Sequence, residues 1–222
     1  MHKVKPRWKS LRAMNKKKLA IVGASGHGKV VADIAECCGW RDIDFFDEAY
    51  NTGRLENAKW QVVGSFMDFI STSAVYDGVI VAIGDNKIRK RLCEVILANS
   101  SNLVTLIHPA AVVSHYAKIG AGSVIVAGAV VNAYAVLGIG TIVNTCASID
   151  HDCQIGDFVH VSPGAHLAGG VKVGSCSWIG IGSSIKQQVT VGSQVRVGGG
   201  AVVINDVLDN LTVVGVPALP LE

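Results

Sequence analysis

Aliphatic side chains recur at every sixth position from Ile107 to Val203, seventeen times without an exception. Four residues after each of them, the side chain is Ala, Ser, Thr, Cys or Val, as at Ala111, Thr141 and Cys153. This double pattern predicts a solenoid of short parallel strands, in which each hexapeptide supplies one flat side and one turn.

Each position of the hexapeptide has a physical role in such a solenoid. The aliphatic residue fills the interior, and the small residue at the fifth position lets the next strand pack closely. Glycine at the second position, as at Gly120 and Gly156, suits tight corners. Because three hexapeptides make one triangular coil, seventeen of them predict between five and six coils.

Before Ile107 the pattern alternates between strands and helices. Strands are expected at 19–22, at 43–46 and from Gly78 to about Asn86, with helices at 29–38 and 87–98. The stretch "LVTLIHP" then leads into the first coil. This alternation predicts a small parallel α/β, Rossmann-like domain. The chain therefore divides into a basic, disordered leader at 1–17, an α/β domain at 18–106 and a β-helix domain at 107–222.

The charge is concentrated at one end of the chain. The first eighteen residues hold eight of the 20 Lys and Arg residues, which leaves 12 basic against 17 acidic residues in the remainder. A nucleic-acid partner is therefore not expected, since it would need a basic face on the fold. The leader is expected to be solvated, with Met14 as a second possible start, although attraction to an anionic membrane surface is the alternative.

Composition also bears on the compartment. No apolar run approaches the ~20 residues of a membrane span, and the leader lacks the apolar region of a secretory signal. The six cysteines form no C-x-x-C pair. They are expected to be reduced thiols in a cytoplasmic protein.

A glycine-rich turn joins the first predicted strand to the first helix. Gly23, Gly26 and Gly28 place backbone N–H groups and a helix N-terminus where they can face an anion. Asp47 ends the second strand, where a ribose-binding carboxylate would lie, and Gly84 follows the third strand. All three loops are expected at the carboxyl edge of the sheet, where open α/β sheets bind ligands.

Three interpretations of this turn remain open. The glycines can simply make a tight turn, or they can belong to a full nicotinamide dinucleotide site. The domain has only half the strands of the doubly wound fold that binds dinucleotides. A single nucleotide, such as a nucleotide-sugar, fits its size better.

Two histidines lie at hexapeptide positions that can reach the outside of the prism. His151 is the third residue of its hexad and His160 is the last residue of its own. A neutral imidazole is a suitable general base at physiological pH. A neighbouring carboxylate, at Asp150 or Asp152, would fix its tautomer and raise its pKa. The alternative is that His151 caps a turn or lies on a solvated face.

Several segments together resemble a known family: "GASGHGKVVADIA", "FFDE", "AIGDNKIRKRL", "NTCASIDHDCQIGDFVHVSPGAHLAGGVKVG", "WIGIGSSI" and "GVPA". They resemble the hexapeptide-repeat bacterial acetyltransferases that N-acetylate a nucleotide-linked 4-amino-4,6-dideoxy sugar, as in the bacillosamine pathway. The resemblance implies a left-handed parallel β-helix, a nucleotide-sugar site in the small N-terminal domain and acetyl-CoA as co-substrate on the β-helix. It also implies a homotrimer with sites between subunits.

The resemblance further implies a role for particular residues. His151 matches the catalytic base, and Asp152 matches its acidic partner, which is Glu in the best-known members. The expected substrate-binding residues are Ser25, Gly26, His27, Asp47, Glu48, Gly84 and Asn144. The expected acetyl-CoA-binding residues are His160, Gly169, Ile181 and Gly199. No metal site is implied.

The expected reaction is direct transfer of the acetyl group to the 4-amino group of a UDP-sugar, with a donor near His160 or a backbone N–H stabilising the oxyanion. An acetyl-cysteine intermediate is less favoured, because Cys153 should point inward. Three alternatives stay open. They are O-acetylation of a sialic-acid-type sugar, a zinc hydratase and a non-enzymatic trimeric nucleotide-binding scaffold. The zinc site would draw its ligands from five histidines: His108, His115, His151, His160 and His166.

Overall fold

The computed structural model describes residues 17–99 and 101–221. All of the predicted basic leader except Lys17 lies outside the described residues. The rest of the chain forms an α/β unit followed by a long solenoid of two-residue strands.

The α/β unit is built on a five-stranded sheet in the order β3-β4-β2-β1-β5. Its strands are parallel, apart from the antiparallel pairing of β3 with β4. The strands are β1 (Lys18–Val22), β2 (Asp42–Phe46), β3 (Glu56–Asn57), β4 (Trp60–Gly64) and β5 (Gly78–Val81). The helices are α1 (Gly26–Cys37), α2 (Phe66–Thr72) and α3 (Asn86–Ala98), with short 3₁₀ turns at Glu48–Thr52 and Ser73–Val75.

The predicted strand and helix order is confirmed for β1, α1, β2, β5 and α3, with shifted ends. Helix α1 begins at Gly26, because the glycine turn itself supplies its first turn. Strand β5 ends at Val81, so that residues 82–85 form a loop. The β3–β4 hairpin and α2 were not expected from the sequence, since these elements are short and their apolar periodicity is weak.

Every predicted hexapeptide forms a two-residue strand that ends at its aliphatic residue. These strands are β6 (Leu106–Ile107), β7 (Val112–Val113), β8 (Lys118–Ile119), β9 (Val124–Ile125), β10 (Val130–Val131), β11 (Val136–Leu137), β12 (Ile142–Val143), β13 (Ser148–Ile149), β14 (Gln154–Ile155), β15 (His160–Val161), β16 (His166–Leu167), β17 (Lys172–Val173), β18 (Trp178–Ile179), β19 (Ser184–Ile185), β20 (Thr190–Val191), β21 (Arg196–Val197) and β22 (Val202–Val203). Strands β23 (Thr212–Val214) and β24 (Leu219–Pro220) close the last coil.

The solenoid is the predicted left-handed parallel β-helix, with three flat sides. The first side contains β6, β9, β12, β15, β18, β21, β23 and β24; the second contains β7, β10, β13, β16, β19 and β22; the third contains β8, β11, β14, β17 and β20. Because successive strands visit these sides in turn, the corners that join the second side to the third lie opposite the first side. Residues 151–152 and 169–170 occupy two such corners.

The interior of the prism is a column of aliphatic and small side chains. Ile149, Val161 and Leu167 are at most 1% exposed, and Cys153 is fully buried among them. Polar residues at the small position hydrogen-bond to the backbone, as Ser177 Oγ does to the Gly192 carbonyl at 2.7 Å. Such bonds offset the cost of burying a hydroxyl.

The α/β unit packs on the first side of the β-helix. Leu106, Val124 and Val126 of the first coils share a core cluster with Leu19 and Ile80 of its sheet. At the same junction, a Cβ at Gly84 would lie 3.8 Å from Trp178 Cη2 and 4.0 Å from His160 Cε1. The carboxyl edge of the sheet is therefore beside the outer face of β15 and β18.

Candidate active site

The glycine turn presents an uncapped helix N-terminus. Ser25 is the N-cap of α1, but its side chain makes no capping hydrogen bond and the first turn contains no acidic residue. The Gly28 Cα approaches the Gly23 carbonyl so closely that a Cβ would collide with it. Helix N–H groups without a side-chain partner form a favourable site for an anion.

Asp47 braces this turn from the neighbouring strand. Its Oδ2 accepts a hydrogen bond from the Ala24 N–H at 2.7 Å, and its Oδ1 accepts one from the Ala49 N–H at 2.9 Å. The adjacent Glu48 is exposed, and its Oε1 accepts from the Phe66 N–H at 3.3 Å. Asp47 thus holds the loops after β1 and β2 together, a role that the sequence did not reveal.

His27, Gly84, Asn144 and His160 come together where the α/β unit meets the first side. The ring centroids of His27 and His160 are 6.5 Å apart, and Asn144 Nδ2 lies 3.2 Å from His160 Nε2. The Trp178 ring packs against His160 at 4.4 Å. We call His27, Gly84, Asn144, His160 and Trp178 the junction cluster.

The hydrogen bonds of Asn144 define the tautomer of His160. The Thr145 N–H donates to Asn144 Oδ1 at 2.8 Å, so the amide nitrogen of Asn144 is the atom that faces His160 Nε2. Nε2 of a neutral His160 therefore accepts, and the proton is on Nδ1. The outward orientation of His160 was predicted, but its side chain is only 6% exposed because the α/β unit covers it.

Both imidazoles of the junction cluster are neutral near physiological pH. Burial, followed by the positive charge of Arg89, lowers the pKa of His27 to about 4. The same two causes, in that order, lower the pKa of His160 to about 3. Among the residues that the structure describes, His27 Nε2 and His160 Nδ1 are buried without a hydrogen-bond partner.

His151 and Asp152 form a second group, at a corner of the β-helix. Asp152 has a left-handed backbone (φ +60°), and its Oδ2 lies 2.8 Å from His151 Nδ1. This hydrogen bond, together with the charges of Asp150 and Asp152, raises the pKa of the exposed His151. The imidazole lies against Gly169 of the next coil.

Asp150 does not compete with Asp152 for the imidazole. Its Oδ1 accepts from the His151 backbone N–H at 2.8 Å and from Asn132 Nδ2 at 2.9 Å. The structure therefore selects Asp152 as the carboxylate beside the ring.

Ile181 and Gly199 lie at the corners between the first and second sides, where a Cβ on Gly199 would be 3.1 Å from Ile181 Cγ2. The junction cluster lies on the first side, whereas His151 and Gly169 lie at the opposite corners. One chain thus places the expected substrate-binding residues and the expected base on opposite faces of the prism.

Arg89, Asn86 and Trp178 were missed by the sequence reasoning. Arg89 is fully buried, although it is an arginine, and Asn86 is 6% exposed. Asn86 Nδ2 donates to the carbonyls of Cys176 and Ser177, both at 3.0 Å, and so ties α3 to the β-helix. A signal was present, because both residues share the apolar stripe of α3 with Leu92, Cys93 and Ile96.

The histidines of the zinc alternative do not converge. Within the described residues, the group of three potential metal ligands is Asp33, Cys37 and His108. The Ala110 N–H donates to His108 Nδ1 at 2.9 Å, which leaves the proton of a neutral ring on Nε2. Elsewhere, His166 Nδ1 is paired with Ser148 Oγ at 2.8 Å. No helix in the described part of the chain is long and apolar enough to cross a bilayer.

Comparisons with known proteins agree with this architecture. Residues 18–96 match the family model of the PglD N-terminal domain. The acetyltransferase domain of PglB from Neisseria gonorrhoeae, in complex with acetyl coenzyme A, is 46% identical with a TM-score of 0.89, and the match covers 93% of this chain and 100% of that one. The chain belongs to this family of acetyltransferases.

Two further relatives of the acetyltransferase are informative. PerB from Caulobacter crescentus, in complex with CoA and GDP-perosamine, is 34% identical with a TM-score of 0.88, over 95% of this chain and 100% of that chain. UDP-N-acetylbacillosamine N-acetyltransferase of Bacillus subtilis is 38% identical over 114 residues, which are 50% of this chain and 52% of the relative. The chain therefore matches about half the length of this curated relative.

Proposed function

We propose that this protein transfers the acetyl group of acetyl-CoA to the 4-amino group of a UDP-linked 4-amino-4,6-dideoxy sugar. The observation that carries the proposal is that one chain contains two separate sites. One is an uncapped helix N-terminus beside buried neutral histidines, and the other is an exposed His151–Asp152 pair. The relatives named for UDP-bacillosamine and GDP-perosamine chemistry support the substrate class.

The nucleotide-sugar belongs at the carboxyl edge of the α/β sheet. The N–H groups of Gly26 and His27 suit its diphosphate, and Asp47 and Glu48 lie on the next loop for the nucleoside. The sugar then extends toward Gly84 and Asn144. Together, these polar groups would fix the orientation of the bound nucleotide-sugar.

The base and the acceptor site come from different copies of the chain in this proposal. His151 is at a corner opposite the first side, so it cannot approach a sugar bound at the junction cluster of its own chain. The same row of corners exposes Tyr116 and Tyr134, whose rings stack at 5.2 Å and are 53% and 61% exposed. Large exposed aromatic side chains commonly mark a surface covered by a partner. A threefold homotrimer would bring this corner against the first side of a neighbour.

The reaction is direct acyl transfer. The lone pair of the 4-amino group attacks the thioester carbonyl, so that a C–N bond forms and the C–S bond breaks. His151 accepts the proton lost by the amine and returns it to the CoA thiolate. Asp152 holds His151 with Nδ1 protonated, leaving Nε2 as the acceptor.

Acetyl-CoA would lie between two neighbouring β-helices, near His160, Ile181 and Gly199 of one copy and Gly169 of the next. With Nδ1 protonated, His160 has no proton on Nε2 for the thioester oxygen. The second N–H of Asn144, which His160 and Thr145 orient, is a better donor to the oxyanion. Cys153 is not used as a nucleophile, because it is fully buried and burial raises its pKa.

The decisive experiment measures thiol release from acetyl-CoA with three acceptors: a UDP-4-amino-4,6-dideoxy sugar, the corresponding GDP-sugar and free sialic acid. Turnover with the UDP-sugar at the highest kcat/KM is expected. A preference for the GDP-sugar would overturn the nucleotide assignment, and turnover with sialic acid alone would reassign the acceptor. Nucleotide binding without any turnover would favour a scaffold.

A further inference from the structure

Arg89 is a buried arginine whose hydrogen bonds connect the two halves of the molecule. Nε donates to the Gly140 carbonyl at 2.8 Å, and Nη2 donates to the Phe158 carbonyl at 2.9 Å; both acceptors are on the β-helix. Nη1 donates to the carbonyls of Ile83 and Gly84, at 2.9 and 2.8 Å. One guanidinium therefore fixes the loop after β5 against two successive coils.

The positive charge of Arg89 has no carboxylate partner among the described residues. Its remaining N–H donates to Asn86 Oδ1 at 2.7 Å, so all five donors meet uncharged oxygens. Burial lowers the pKa of Arg89 to about 10, which still leaves the side chain charged at neutral pH. Burying a charge costs desolvation free energy, and replacing a buried ionic group by an apolar one often stabilises a protein. A buried Arg89 without a carboxylate partner in the described part of the chain therefore points to a role other than stability.

The groups around this charge belong to the junction cluster and to α3. Arg89 Nη1 bonds to the carbonyl of Gly84 in that cluster, and its charge lowers the pKa of His27 and of His160. Asp85, the N-cap of α3, and the thiols of Cys93 and Cys176 are the other titratable groups near it. Asp85 is exposed and caps the Ile88 N–H at 2.9 Å, so its charge is screened by solvent.

We propose that Arg89 is a positioning residue of the acceptor site, which docks the Gly84 loop on the β-helix and sets a buried positive charge beneath an anionic ligand. This inference rests on the proposed function for the identity of that ligand, a nucleoside diphosphate. In a site of low dielectric, a fixed charge acts over a longer distance than it does in water. His27 and His160 cannot supply this positive charge instead, because both imidazoles are neutral near physiological pH.

Three variants test the inference. Arg89→Gln removes the charge, Arg89→Lys keeps the charge but not the fork of donors, and Arg91→Gln is the control on the exposed face of the same helix. Histidine titrations are followed by nuclear magnetic resonance of the imidazole carbons, and UDP binding by calorimetry. Neither readout requires acetyl transfer.

In the wild type, His27 and His160 should remain neutral down to about pH 5. In Arg89→Gln, both should become protonated at higher pH than in the wild type, and UDP affinity should fall about tenfold. Arg91→Gln should change neither quantity. A folded Arg89→Gln protein with wild-type histidine titrations and wild-type UDP affinity would overturn the proposal.

If Arg89→Gln does not fold, Arg89→Lys decides the question. It should keep both histidines neutral, because the charge remains, while the reduced docking of the Gly84 loop lowers kcat. If His27 and His160 became protonated near the ordinary pKa of histidine in this variant, the assigned role of the charge would be contradicted. If the wild type does not bind UDP, the proposed function fails, but the titrations still decide whether Arg89 controls the two histidines.

Discussion

The imidazole of His151 lies directly over Gly169, which occupies the equivalent corner one coil further along. A Cβ at position 169 would be 2.6 Å from both Cε1 and Nε2 of His151. The φ of Gly169 lies outside the left-handed region, so the position requires glycine because of the space that the ring occupies. Gly169 thus positions the proposed base, in addition to its expected place beside acetyl-CoA.

Replacing Gly169 by Ala should therefore displace His151. We expect Gly169→Ala to lower kcat about tenfold to a hundredfold, since small displacements of a reacting group are costly. The measurement is thiol release at saturating substrates. In a His151→Ala background the same change should have little further effect, and full additivity of the two losses would show that the residues act independently.

Removing the imidazole of His151, the proposed base, should cause a large loss of activity. His151→Ala is expected to lower kcat about 10²- to 10⁴-fold, the usual contribution of a general base. His166→Ala is the matched control, because His166 is also exposed on the β-helix and its ring is paired with Ser148 Oγ. Turnover in His151→Ala equal to that of the control would remove His151 from the mechanism.

The effect of the Asp152 carboxylate should appear in the pH dependence of kcat/KM. Its hydrogen bond raises the pKa of His151, and a general base works only when neutral, so the rate rises as the pH passes through that pKa. In Asp152→Asn the pKa of His151 falls, and the acidic limb of the kcat/KM profile should move to lower pH. The maximal kcat/KM, reached above that pKa, should fall as well, because a less basic imidazole is a weaker proton acceptor. An unmoved limb would show that Asp152 does not tune His151.

The proposed sharing of each site between two copies of a trimer predicts complementation. His151→Ala and Asn144→Ala should each be nearly inactive alone. Mixed trimers should regain activity, since a site with His151 from one copy and Asn144 from its neighbour is intact in about a quarter of cases. Co-expressed, differently tagged chains provide the measurement. Mixed oligomers that stay inactive would place both residues in a site within one chain.

The stability of the β-helix should depend on its interior column. Ile149→Ala, at a fully buried position, should lower the free energy of unfolding by about 2–5 kcal/mol, through lost apolar burial and a cavity. Val112→Ala, at a position that is 65% exposed, should cost less than about 0.5 kcal/mol. Denaturant unfolding compares the two variants, and equal losses would contradict the assignment of inner and outer faces.

The α/β unit was less predictable from the sequence than the β-helix. Strands β1 and β5 are buried apolar runs and β2 ends in two buried phenylalanines, so these strands and their common carboxyl edge were correctly expected. Strand β4 alternates between exposed and buried residues over only five positions, and β3 has only two residues. Such short segments are held by pairing with their neighbours, which local patterns do not encode.

The sequence by itself determined the β-helix and the faces of its side chains. Each hexapeptide repeats one local solution, and each coil contacts mainly its neighbours, so the fold follows from a local period. Only the tertiary structure decided which chemical groups meet. Asp47 reaches the Ala24 N–H, and Arg89 donates to the carbonyls of Gly140 and Phe158, across long stretches of chain. The Asp47 contact depends on the pairing of β1 with β2, which brings their loops to one edge of the sheet. The Arg89 contacts depend on how the α/β unit docks on the first side, and docking is a property of two complementary surfaces that no periodicity in either half specifies.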